Sequence, residues 1–172
     1  MRGKVFFTVV AIAILALFVL APVTDARTKH CKGKAKLVGM PSETILNIDD
    51  GVPGHKMRLR IMVYDHTCDC EEVAEFRQYV QDYADIVGGS ARSSGYYTNA
   101  IKGGGANFGK WSGNSKTEMK KDGSWEMVFS GKWEQTGGKG RLEGMKGKGT
   151  YTGKASPASF FYEWEGDMEF PD

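Results

Sequence analysis

Apolar and polar residues alternate along most of the second half of the chain. In SFFYEWEGDMEF, Phe160, Tyr162, Trp164, Met168 and Phe170 share one face, and Phe161, Glu163, Glu165, Asp167 and Glu169 share the other. GSWEMVFSGKWEQ repeats the pattern, with Trp125, Met127, Phe129 and Trp133 against Glu126, Ser130, Lys132 and Glu134. A period of two with one apolar and one wet face predicts antiparallel strands buried on one side. NFGKWSGNSKTEMKK carries a weaker version through Trp111 and Met119, and Asp122-Gly123 supplies a tight-hairpin signal after it. Upstream, HKMRLRIMVYD sets Met57, Leu59, Ile61 and Val63 against Arg58, Arg60 and Tyr64, which predicts a further strand.

One segment follows a different period. Val73, Phe76, Val80, Tyr83 and Val87 are spaced by three, four, three and four residues, which predicts an amphipathic helix over about 70–87. Asp69 with Glu72 three residues on resembles a capping box, and Gly88-Gly89 supplies the stop. One helix cannot bury a core alone, so it is expected over a barrel mouth or side. The fold class that follows is mainly β: an antiparallel closed barrel of about eight strands with one helix, in a single domain over residues 27–172. Closure is the most complete way for a meander of short strands to avoid exposed edges. The inward aromatic face would hold Trp111, Trp125, Phe129, Trp133, Tyr162 and Trp164, the candidate lining for a small apolar ligand. A barrel of this size has room for packed side chains or for one small ligand, and both stay open here.

The N-terminal 26 residues change the compartment. Arg2 and Lys4 precede an apolar run from Val5 to about Ala21, and Thr24 and Ala26 stand at −3 and −1 of a small-residue cleavage site before Arg27. This predicts a signal peptide over residues 1–26, an exported protein in the periplasm or outside the cell, and no membrane attachment after cleavage. The net charge is +2 for the whole chain, and removing Arg2, Lys4 and Asp25 leaves +1. Such a balance gives no electrostatic footprint for nucleic acid. Lysines cluster near residues 139–154 and acids near 163–169, which reads as two solvated strand faces lying beside each other.

The sharpest local chemistry is His66-Thr67-Cys68-Asp69-Cys70. His66, Cys68 and Cys70 fall at alternate positions, a set suited to Zn or Cu. The competing reading is a disulfide from Cys31 to Cys68 or Cys70, which an oxidising compartment favours and which leaves one cysteine over. No cofactor is expected under that reading. No GxSxG elbow anchors a hydrolase triad, and no catalytic residue is assigned.

GGKGRLEGMKGKGTYTG, residues 137–153, carries seven glycines. Gly138 and Gly144 lack the spacing of a phosphate loop, and no helix pattern follows. Glycines inside strands permit bulges and the coiling a narrow barrel needs. Residues 136–144 resemble the glycine signature of the allene oxide cyclase/dirigent-like barrel superfamily, and are similar in particular to its bacterial exported members of unassigned function. DGSWEMVFSGKWEQ and FFYEWEGDMEF are similar to strands of that group. The resemblance implies an eight-stranded antiparallel barrel, often oligomeric, with an apolar cavity. It implies no particular chemistry, since the polar groups of the plant cyclases have no match here. Three readings follow. The first is a non-enzymatic exported barrel that binds a small apolar ligand or assembles as a homo-oligomer. The second is a cyclase-like isomerase acting on an oxidised lipid, and the third a metal or redox protein built on His66, Cys68 and Cys70.

Overall fold

The period-two runs become strands, and the sheet they form closes on itself. In the computed structural model, which describes residues 27–171, these are β1 (Arg27–Asn47), β2 (Lys56–Cys68), β3 (Glu75–Val87), β4 (Ser90–Ile101), β5 (Ala106–Met119), β6 (Trp125–Lys139), β7 (Lys146–Ser156) and β8 (Ser159–Phe170). Each strand pairs antiparallel with the next, and β8 returns to β1 from Arg27↔Phe170 to Lys36↔Phe161. The pairing closes the ring, and β1 continues past the end of β8, where residues 37–47 pair on its β2 side. The expected signal segment, residues 1–26, lies outside the described residues. Among the described residues, no helix is long and apolar enough to cross a membrane.

The helix expected over 70–87 is not formed. A single 3-10 turn, Glu71–Val73, leads into β3, which pairs with β2 from Lys56↔Ile86 to Thr67↔Glu75 and with β4 along its other edge. Phe76, Gln78, Val80, Asp82 and Ala84 turn inward and are buried, whereas Tyr79 and Tyr83 turn outward. Two of the inward positions are polar and two of the outward ones aromatic, so the alternation is hidden and a three-four spacing shows instead. The β-branched and aromatic content of this segment (Phe76, Tyr79, Val80, Tyr83, Ile86, Val87) suits a strand. Its supposed caps have other partners. Asp69 accepts a hydrogen bond from the Lys32 amide of β1 at 2.8 Å, and Glu72 pairs with Lys29. Gly88 and Gly89, with φ of +58° and +80°, form the two-residue hairpin turn between β3 and β4.

β1 has no counterpart among the strands read from the sequence. Its inner face is built from small residues, Cys31, Gly33 and Ala35, alternating with Lys32, Lys34 and Lys36 outside. Its register with β2 shifts between Leu37 and Gly39 and again between Gly39 and Ser42. Pro41, which has no N–H to donate, sits in that irregularity. The acidic outer row of β8 lies between the lysines of β7 and those of β1, with Lys32–Glu165 and Lys34–Glu163 both at 3.2 Å.

The glycine stretch spans the end of β6, a 3-10 turn (Gly140–Leu142) and β7. Gly147, Gly149 and Gly153 face inward while Lys146, Lys148 and Lys154 face solvent. A Cβ at Gly149 of β7 or Gly166 of β8 would fall 2.5 Å from the Trp133 ring, so these glycines are the floor on which that indole lies. The two barrel ends differ. The end holding the β2–β3, β4–β5 and β6–β7 connections is plugged by Val73, Ile101, Leu142, Met145, Met168 and Phe170. Cys31 and Cys70 are bonded there, with Cα atoms 5.7 Å apart. The chain-entropy model gives about 4 kcal/mol for closing a loop of this length. Among the described residues, no such apolar cluster fills the opposite end.

Candidate functional site

Above the apolar plug lies a cavity of about 110 Å³ that opens toward the unplugged end. That is comparable to the cavity of about 150 Å³ that admits benzene in an engineered core. Its lower wall comes from β2, β3 and β8: His66, Phe76, Gln78, Tyr162 and Trp164. Trp164 Nε1 donates to His66 Nδ1 at 3.1 Å. An indole can only donate, so Nδ1 is the bare nitrogen and Nε2 carries the hydrogen. Nε2 then donates to Tyr162 Oη at 3.2 Å, and that hydroxyl donates to Gln78 Oε1 at 2.8 Å. His66 also stacks on Phe76 with ring centroids 4.3 Å apart. Burial lowers its pKa from 6.5 to about 3, so the imidazole is neutral at physiological pH and works as a fixed hydrogen-bonding link. Burial likewise holds the phenols of Tyr64, Tyr97, Tyr151 and Tyr162 in the protonated form.

The middle of the cavity adds neutral hydrogen-bonding groups. Tyr97 Oη donates to Gln135 Oε1 at 3.3 Å, and Asn99 Nδ2 donates to Asn107 Oδ1 at 2.7 Å. Near the mouth lies a charged group. Asp82, fully buried, faces Arg60 directly across the β2–β3 ladder, and its Oδ2 accepts from Arg60 Nε and from Arg58 Nη2, the latter at 3.0 Å. Desolvation and the neighbouring Arg60 charge lower the Arg58 pKa, and Asp82 opposes the shift. Arg60 lies over the Phe160 ring at 6.0 Å.

Among the described residues, four buried polar atoms of the cavity lining find no hydrogen-bond partner: Asp82 Oδ1, Arg58 Nε, Asn99 Oδ1 and Trp111 Nε1. Well over nine-tenths of buried polar groups are ordinarily paired, and each orphan costs about 1–3 kcal/mol. All four belong to side chains of the cavity lining, and the atoms themselves are buried in its wall.

Of the six aromatic residues expected inside, Trp111, Phe129, Trp133, Tyr162 and Trp164 line this cavity. Trp125 also faces inward but lies at the start of β6, outside the lining. The cysteine–histidine set is separated. His66 points into the barrel, with both nitrogens engaged. The ligand atoms of Cys31, Cys68, Asp69 and Cys70 lie within 4.8 Å of one another at the plugged end. While Cys31 and Cys70 are bonded to each other neither offers a thiolate, so Cys68 and Asp69 alone remain of that group. Burial raises the Cys68 pKa to about 11, which keeps this free thiol protonated and slow to attack the adjacent disulfide.

Arg58, Arg60, Gln78, Asp82, Asn99 and Gln135 were not among the expected site residues. One signal for them was present: Arg58, Arg60, Tyr64 and His66 share a strand face, and two arginines two residues apart mark that face as special if it is the inner one.

With this geometry in view, known proteins divide sharply. The pterocarpan synthase dirigent protein GePTS1 has a similar solved structure, at a TM-score of 0.51 and 12% sequence identity, over 89% of this chain and 94% of that one. The likeness shows a shared dirigent-like barrel fold. No family model matches the chain, and no curated protein matches it.

Proposed function

We propose that this protein is an exported, non-enzymatic barrel that binds a small molecule in its central cavity. The observation that carries this reading is the set of four orphaned polar atoms around one ring-sized, aromatic-lined space. The ligand this space suits has an apolar ring lying among Phe129, Trp133 and Tyr162 and a polar end toward the mouth, near Arg58 and Asp82. Export is supported by the Cys31–Cys70 bond, which persists in oxidising compartments. The test is a titration with indole followed by amide and indole N–H chemical shifts. Shifts centred on Trp111 and Asn99, abolished by filling the mouth with Ser93→Trp, are expected. Shifts confined to the outer wall, or none, would remove the reading.

The cyclase-like isomerase is the alternative reading, and one of the same four atoms bears on it. Asp82 lines the cavity and has one carboxylate oxygen without a partner among the described residues; on this reading a shift of its side chain toward a bound molecule would let it take a proton from one atom and return it to another. Recovery of a bound compound chemically unchanged after long incubation separates simple binding from this chemistry. Self-association is proposed as well, through the outer face of β2 and β3, where Met57, Ile61, Tyr79 and Tyr83 are exposed.

A further inference from the structure

Resting on the cavity reading, we infer that the ligand is an anion: a small aromatic acid whose carboxylate seats against Arg58 and Arg60 at the cavity mouth. The charges on the inner wall do not balance. Arg58 and Arg60 are 14% and 11% exposed, and the buried counter-charge they share is the single carboxylate of Asp82. Both guanidinium groups are drawn to the same oxygen, Oδ2, which leaves Arg58 Nε without an acceptor. The other polar cavity residues, Gln78, Asn99, Gln135, Ser93, the tyrosines and the neutral His66, carry no charge. The lining therefore has an excess of one positive charge in a desolvated place, where an unpaired charge is costly and an arriving carboxylate is favoured.

The geometry of the cation suits a carboxylate. A guanidinium offers donors in a planar fork that matches two carboxylate oxygens, and its pKa keeps it charged throughout the physiological range. Phe160 lies under Arg60 and Phe129 lies beside Phe160, with ring centroids 5.0 Å apart, so an aromatic surface continues from the cations into the cavity. Glu43 is the acid on the rim. It is the cross-strand partner of Arg60 on β1, exposed to solvent, and it acts on Arg58 through longer-range attraction. A bound carboxylate would take the closer position that Glu43 does not fill.

The experiment compares cinnamate with its neutral amide, cinnamamide, on the intact protein by calorimetry and by quenching of the cavity tryptophans. Cinnamate is expected to bind at least about tenfold tighter, as hydrogen bonds to a charged group imply. Arg60→Gln should bring the ratio close to one by weakening cinnamate far more than cinnamamide. Two further variants should gain affinity, a change that loss of folding cannot produce. Asp82→Asn and Glu43→Gln are each expected to tighten cinnamate several-fold, and Glu43→Gln, which lies outside the lining, should leave cinnamamide alone. Equal binding of acid and amide, a ratio that survives both Arg58→Gln and Arg60→Gln, or a loss of cinnamate affinity in Glu43→Gln would overturn the inference and leave the cavity reading standing. Failure of both probes to bind at millimolar concentration, together with a silent indole titration, would remove both.

Discussion

The β2–β3 wall and the β6–β8 wall belong to one barrel and obey opposite rules. On β6 and β8 the inner face is aromatic and the outer face charged: Phe129, Trp133, Tyr162 and Trp164 against Lys132, Glu134, Glu163 and Glu165. On β2 and β3 the inner face carries Arg58, Arg60, His66, Gln78 and Asp82, while Met57, Ile61, Tyr79 and Tyr83 stand exposed outside. One wall supplies a surface for a ring, and the other supplies hydrogen bonds and charge. The difference teaches that the polar wall is maintained at a cost to stability, because a packed apolar wall would hold the barrel better. Asp82→Leu breaks the comparison most severely, since it strands two buried arginines; a loss of about 3–5 kcal/mol is expected in urea unfolding. The triple change Arg58→Met, Arg60→Met and Asp82→Leu should be neutral or stabilising by about 1–4 kcal/mol, because buried ion pairs replaced by well-packed apolar groups usually are. If the triple variant is as unstable as the single one, the arginines serve the fold.

On the aromatic wall the vulnerable positions are the ones without side chains. A Cβ at Gly149 meets the Glu165 carbonyl as well as the Trp133 ring. Gly149→Ala is therefore expected to cost up to about 3 kcal/mol by overpacking, and to shift the Trp133 fluorescence as the indole is displaced into the cavity. Gly51→Ala is not an equivalent control, because its φ of +81° disfavours a side chain whatever the space. The better control is Gly39→Ala, where the added methyl meets nothing closer than 4.0 Å; it should be nearly silent.

The same contrast explains which parts of the fold could be read from the chain. Hydrophobic alternation is a reliable guide where the inside is apolar, so β6, β8 and the hairpin at Asp122-Gly123 were legible. On β3 the inward Gln78 and Asp82 and the outward Tyr79 and Tyr83 invert the signal, and a helix was expected. On β2 the strand was legible but its buried face was not, since hydrophobicity alone would turn Met57, Leu59, Ile61 and Val63 inward. β1 shows neither sign, because its inner residues are small and its outer ones are lysines. The aromatic part of the candidate site could thus be named in advance, and its charged part could not. A carboxylate pairing two arginines across a ladder is fixed by register, which becomes visible only once β2 and β3 are known to be neighbours.

His66 joins the two walls, projecting from β2 to Trp164 and Tyr162 of β8, and its titration tests that join. Its folded pKa of about 3 lies below the ordinary value of 6.5. The unfolded chain therefore takes up a proton that the folded one refuses. The stability this contributes is complete above pH 6.5 and is lost as the pH falls toward 3, by about 2 kcal/mol near pH 5. Urea midpoints measured at neutral pH and near pH 5 should show that fall in the wild type, and a much flatter response in His66→Gln, which lacks the group. His55 at the β1–β2 loop works in the opposite sense. Hydrogen bonds that it donates to Asp50 and then to Asp85 raise its pKa, so its contribution is lost as the pH rises through that higher value. Adding His55→Gln removes that second titration and isolates the His66 effect. A slope that persists undiminished in His66→Gln would show that the acid response originates elsewhere.

The smallest effect on folding belongs to the outer faces, and there the contrast between the walls should appear in assembly. Val63 lies opposite Tyr79 and Leu59 opposite Tyr83 across the β2–β3 ladder, so their side chains form one apolar surface on the outside of the barrel. The outer row of β7 and β8 is mostly charged, with Phe161 its exposed large apolar residue. An isologous contact between two copies would bury the first surface and leave the second in water. Ile61→Lys combined with Tyr83→Lys is expected to change the stability of a single barrel by no more than about 0.5 kcal/mol per site, as solvent-facing substitutions do. The same pair should abolish any concentration-dependent increase in mass seen by sedimentation or light scattering. Thr152→Lys, on the outer face of β7, should leave the mass unchanged. A wild-type protein that stays monomeric at every concentration tested would mean that the exposed β2–β3 surface has no second copy as its partner, and that its tyrosines and aliphatic residues face water in solution.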